Sequence, residues 1–74
     1  MKEVKIFWED SKGYGPSWMD DEEIEHIDIV PCETWGFVVK EDKQKIVVAQ
    51  TCGSNQKHNL IAIPKRSIVR IIAE

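Results

Sequence analysis

Polar and apolar positions alternate from the start of the chain: Val4, Ile6 and Trp8 fall on one side of an extended segment, and Lys5, Phe7 and Glu9 on the other. A period of two predicts a strand over residues 2–9, with Phe7 lending its second face some apolar character. A second strand is predicted near residues 24–30, with Ile27 and Ile29 sharing a face and Pro31 ending it. The clearest signal spans residues 35–50, where Trp35-Gly36-Phe37-Val38-Val39-Lys40 and Lys45-Ile46-Val47-Val48-Ala49-Gln50 flank the polar tetrad Glu41-Asp42-Lys43-Gln44. Two β-prone runs around a short polar link read as a hairpin. Residues 52–59 are rich in Gly, Ser and Asn and predict a loop, after which residues 60–63 start another strand. Proline has no N–H to give a ladder, so Pro64-Lys65-Arg66 is expected to make one tight turn before residues 67–72 close the sheet.

Between the first two strands lies a long connection, residues 10–23, whose early part is too rich in Gly, Pro and Ser for a helix. Only Met19-Asp20-Asp21-Glu22-Glu23 suits a short helical turn, because acids favour a helix N-terminus. Connections longer than about 12 residues in a compact domain are commonly functional or disordered. Composition agrees with sheet: ten Ile and seven Val stand against one Leu, and branching at Cβ restricts χ1 and disfavours helix. One all-β domain over residues 1–74 is expected. A chain this short buries roughly 60% of the surface its unfolded form exposes. Its core alone supplies about 3–5 kcal/mol, so a homo-oligomer is the expected state.

Charge is unevenly placed. Net charge is −3, but residues 1–33 carry three Lys against ten acids and residues 34–74 carry seven Lys or Arg against three acids. The acidic balance argues against a general duplex-DNA binder, which needs a broad basic footprint, whereas a small cluster of cations suffices for one small anion. The split also favours head-to-tail self-association. No apolar stretch follows Met1-Lys2-Glu3, and none approaches the roughly 18 residues needed to span a bilayer. These features predict a cytoplasmic protein without membrane contact, with Cys32 and Cys52 as reduced thiols.

The segment LIAIPKRSIVRI, residues 60–71, resembles the end of an SH3-like or Sm-like small barrel: a strand, a proline-led single turn and a closing strand. That resemblance implies a small SH3-like barrel of five or six antiparallel strands with a long first loop, and places Trp35 near the start of a middle strand. The groove that takes proline-rich peptides in SH3 domains needs a Tyr in the final turn, where this chain has Lys65-Arg66-Ser67. The departure argues against that activity. As a whole, with WEDS opening the loop, GFVVKEDKQKIVVAQ as the hairpin and IPK before the last strand, the chain resembles small phage-encoded proteins. Among these it is similar to the anti-CBASS sponges, which sequester a cyclic-dinucleotide immune signal as oligomers without hydrolysing it. The resemblance implies a cyclic dinucleotide as ligand, immune evasion in the host cytoplasm, and no cofactor.

Candidate ligand contacts follow from what such a ligand needs. Tryptophan faces stack on nucleobases at about 1–3 kcal/mol per base. Trp8 shares a predicted face with Val4 and Ile6 and reads first as the edge of the core, while Trp18, in a polar loop, reads as cover for a ligand or a neighbouring subunit. Tyr14 belongs to the same loop, which would act as a lid if it moves. Lys65 and Arg66, with Arg70 four residues beyond, offer charge-assisted contacts to phosphate, although a solvated basic turn is the plainer reading. Asp10 or Glu9 offers a carboxylate to guanine's Watson–Crick donors, or simply caps a turn. Thr34, Gln50, Thr51, Ser54 and Asn55 cluster at predicted strand ends and offer hydrogen bonds to a base or ribose, with Lys57 and His58 as further cations.

No metal site is expected, because His26, Cys32, Cys52 and His58 lack the close-paired spacing of a zinc centre. The acid run at residues 20–25 lacks the Gly and alternating ligands of a calcium loop and reads as a solvated face. Nothing assembles a nucleophile, base and oxyanion donor, so the expectation is a binder rather than an enzyme. Capture of a cyclic dinucleotide between subunits is the first functional reading. A protein-interaction module anchored by Trp18 and Tyr14 is its main rival. An Sm-like nucleic-acid binder is disfavoured by the acidic N-terminal part.

Overall fold

The computed structural model describes residues 1–73. In chain order it contains β1 (Glu3–Asp10), α1 (Asp21–Ile24), β2 (Val30–Glu41), β3 (Lys45–Cys52), β4 (Lys57–Pro64), a 3-10 turn (Lys65–Ser67) and β5 (Ile68–Ala73). Every strand pairs antiparallel to its neighbours, in the order β4-β3-β2-β1-β5. The protein is all-β, with five strands in a barrel-like sheet. The expected closure is not completed: the last segment pairs with β1, and β4 and β5 remain the two edges of one open sheet.

Alternation along the strands determines the core. Val4 and Ile6 of β1, Ile46 and Val48 of β3 and Ile63 of β4 form the buried cluster, with Trp8, Val38 and Ile68 packed against it. Gly36 lies opposite Val4 across the β1–β2 ladder, where β2 crosses closely over β3. Bulges let these strands coil. The β2–β3 register slips between Val38 and Lys40, and the β1–β5 register slips between Phe7 and Trp8. An extra residue in one strand bends it and raises its twist.

Two sequence expectations need correction. Residues 25–29 form no strand, and β2 begins at Val30 and runs through Pro31. Proline is tolerated there because this part of β2 has a partner on one side only: it pairs with β1 from Val30 onward, and with β3 only from Phe37. Ile27 and Ile29 alternate on paper but stay exposed, with no sheet beneath them. The loop expected over residues 52–59 is also shorter. Thr51 and Cys52 pair with His58 and Lys57, so polar residues of weak β-propensity are held in β4 by their partners.

The hairpin tip between β2 and β3 is fastened by Asp42. Its Oδ1 accepts hydrogen bonds from the backbone N–H groups of Gln44 (2.8 Å) and Lys45 (3.0 Å), and its Oδ2 accepts from the Lys45 ammonium (2.7 Å). The Lys45 hydrogen bond, then the two backbone donors, hold the Asp42 carboxyl down from 3.8 to about 2. Glu41 is lowered in the same direction, first by its hydrogen bond to Lys65 at 2.7 Å. A depressed carboxyl contributes stability that is complete above its unfolded pKa and is lost as pH falls through the folded one. The melting temperature should therefore drop between about pH 4 and about 2, the interval between the unfolded value and the value about 2 that Asp42 shows in the fold. Asp42→Asn should flatten that part of the profile, and a carbon-detected NMR titration of the carboxyl should give the low midpoint directly.

Residues 11–29 stand apart from the sheet as an arm. Its feet, Asp10 and Val30, are paired across β1 and β2, and the Tyr14 hydroxyl lies 3.4 Å from both the backbone N–H and the carbonyl of Asp28. Within the arm, the Asp20 carboxylate accepts from the Glu23 N–H at 2.8 Å and caps α1, whose first turn is acidic as expected. The molecule is elongated as a result, measuring 52 × 22 × 20 Å, with a radius of gyration of 15.9 Å where a compact chain of this length gives about 11 Å. Among the described residues no helix is long and apolar enough to cross a membrane.

Candidate functional site

The nine residues singled out from the sequence lie in three separate places. Asp10, Tyr14 and Trp18 belong to the arm or its foot; Thr34 and Gln50 line the place where the sheet forks, with Trp8 bonded to Thr34 from β1 and Thr51 next to Gln50 on β3; Lys65 and Arg66 belong to the 3-10 turn beyond β4. Trp8 is half-buried on the core, and its indole N–H donates to the Thr34 hydroxyl at 2.9 Å. Trp18 is fully exposed. Asp10 accepts from the Ser11 N–H and so shapes the turn into the arm. Lys65 is engaged by Glu41, whereas Arg66 makes no ion pair among the described residues. Thr51 sits opposite His58 at the outer end of β3.

At the fork the sheet opens into a concavity. β2 leaves β3 above the Phe37–Ala49 pair, and β3 continues with β4 alone. The gap is a cleft of about 390 Å³ walled by Thr34 and Trp35 on one side and by Gln50, Asn59 and Leu60 on the other, with Val48 at its base. Volumes of about 300–1,000 Å³ are usual for small-molecule sites. Asn59 has the one positive φ outside glycine among the described residues, 59°, and its amide donates to Gln50 Oε1 at 2.6 Å. Asn is one of the few side chains that accept this left-handed backbone. The conformation places two carboxamides side by side at the lip of the cleft.

Next to the cleft, cations and rings alternate across the outer face of the sheet. The Arg70 guanidinium lies 4.6 Å from the Phe7 ring centre, and the Lys5 ammonium lies 5.0 Å from Phe7 and 4.5 Å from Trp35. Cross-strand pairing produces this stripe, because Phe7 faces Arg70 on β5 and Lys5 faces Trp35 on β2. Each such contact contributes about 0.5–1 kcal/mol at an exposed site. Trp35 is 61% exposed even so. Glu33, also at the cleft, holds Lys5 loosely at 3.7 Å.

Sequence reasoning missed Lys5, Phe7, Glu33, Trp35 and Asn59 as site residues. The signal for the first two was present, since Lys5 and Phe7 alternate with core residues and so must share the outer face. Their meeting with Trp35 and Arg70 depends on registers that the sequence does not display. A second cleft, of about 600 Å³, lies at the hairpin tip between Lys43, Lys45, Ala62, Pro64, Lys65 and Arg66. Lys45 and Gln50 are five residues apart on β3, so the two clefts are roughly 16 Å apart along the strand. No three His, Cys, Asp or Glu side chains converge among the described residues, and Cys32 and Cys52 are both free. No family profile, curated protein or solved structure matches this chain.

Proposed function

We propose that the protein is a non-enzymatic binder, of the phage sponge type its sequence resembles, that holds a cyclic dinucleotide without turning it over. The observation that carries this reading is the fork cleft: an exposed indole on β2 stands across the gap from two carboxamides on β3 and β4, beside two cations. A base stacks on Trp35, and its polar edge meets the carboxamides of Gln50 and Asn59. Glu33 supplies a carboxylate for the N–H donors of guanine. Lys5 and Arg70 meet the phosphates, where charge-assisted contacts are strongest.

Native mass spectrometry against a panel of cyclic mono-, di- and trinucleotides tests the reading, with ligand recovered intact as the expected result. Trp35→Ala should reduce the affinity of the bound species by about 5–150-fold, the equivalent of about 1–3 kcal/mol of lost stacking. An unchanged spectrum across the panel, together with no heat by calorimetry at high protein concentration, would reject it.

A further inference from the structure

We infer that the arm, residues 11–29, seats in the hairpin-tip cleft of a second copy of this chain. The arm carries Trp18 fully exposed, with Ile24 and Ile27 about half exposed, so its own fold leaves its apolar side uncovered. It also carries six acids within nine positions, Asp20, Asp21, Glu22, Glu23, Glu25 and Asp28, and none of them forms an ion pair among the described residues. The cleft is its complement. Ala62 and Pro64 form an apolar floor, and four cations surround it. Asp42 and Glu41 engage Lys45 and Lys65, while Lys43 and Arg66 make no ion pair among the described residues.

The arm cannot satisfy its own cleft. β2 begins at the arm's foot and ends at the hairpin tip, so its twelve residues, at about 3.3 Å each, place the two surfaces at opposite ends of the strand. The amount of exposed surface fits an unmade interface. The chain exposes 6029 Å², about 1,300 Å² more than the roughly 4,700 Å² expected of a compact protein of its mass. A standard interface needs about 800 Å² from each partner. Each copy both gives an arm and receives one, and such contacts close as a symmetric pair or a ring. Opposite charges across the seam make it sensitive to salt.

Sedimentation velocity on the full chain without nucleotide tests this independently of the ligand reading. The wild-type protein is expected to sediment as an assembly that shrinks as salt rises. Trp18→Ala alone, and Lys43→Glu/Arg66→Glu alone, should each sediment as monomers with wild-type far-UV circular dichroism, since these side chains lie outside the core, and should melt lower than the wild type because the stability that assembly adds is lost. An equal mixture of the two should form a one-to-one dimer, because it retains one intact arm and one intact cleft. Adding Glu22→Lys/Glu23→Lys to the cleft double variant should restore assembly. A monomeric wild-type protein at low salt, either single-surface variant assembling as wild type, or a mixture that stays monomeric would overturn the proposal.

Discussion

Gly36→Val is expected to leave the chain unfolded in water at room temperature. A Cβ at this position would lie 2.5 Å from Val48 Cγ1 and 2.6 Å from the Ala49 carbonyl oxygen. The methyl could turn aside, but the carbonyl belongs to the β3 backbone and cannot yield without moving the strand. Phe37 pairs with Ala49 immediately beyond, so separating the strands here opens the β2–β3 ladder at its first rung. Overpacking a core costs about 1–3 kcal/mol, and more where backbone is the obstacle. A single core of this size supplies only about 3–5 kcal/mol, so the cost is comparable to the whole. Far-UV circular dichroism through a urea titration reads the effect. Gly36→Ala should show the same loss in milder form, and a wild-type midpoint for that variant would show that the strands do not approach this closely.

Trp8→Ala should be the second most damaging change, at about 3 kcal/mol. Truncating a buried Trp costs about 3–5 kcal/mol, and the half-burial of Trp8 places it at the low end. The substitution removes packing against the buried cluster and leaves the Thr34 hydroxyl without its indole donor. Trp8→Phe separates the two contributions. It keeps most of the ring and loses the N–H, and is expected to cost about 1 kcal/mol, the usual net value of one hydrogen bond. A cycle of Trp8→Phe with Thr34→Val should then show a coupling of similar size. Denaturant midpoints measure all four proteins. No change in midpoint for Trp8→Ala would mean that the indole contributes nothing to the core.

Trp8 and Trp18 show how far sequence reading reaches. Trp8 was placeable because Val4 and Ile6 precede it at spacing two, and a shared face implies a shared environment. Trp18 has no periodic neighbours and reads in the sequence as cover for a ligand or a neighbouring subunit; the fold leaves it fully exposed, outside the core. The fork cleft was half legible: Thr34 and Gln50 were named from their strand-end polarity, but Trp35, Asn59 and Lys5 were not. Trp35 reads in the sequence as one more aromatic in a β-rich run. Only the point at which β2 leaves β3 turns it into the wall of a cleft.

Pro31 illustrates the opposite error. A proline after an alternating run is a sound reason to end a strand when every residue is assumed to have neighbours on both sides. It fails here because β2 is paired on one side only until Phe37, a fact about the whole sheet. Residues 24–29 lack their predicted strand because alternation becomes structure only where a partner strand lies alongside.

The all-β class, the hairpin with its polar tip, the proline-led turn and a short acidic turn near α1 were legible in the sequence. These rest on local physics: branched side chains, turn chemistry and the period of two. Which strands pair, that β4 and β5 are left as edges, and that the sheet forks beside Trp35 were decided only by tertiary structure. Those features depend on register, on two bulges and on one close approach at Gly36, and contacts between residues far apart in the chain leave no periodic mark along it.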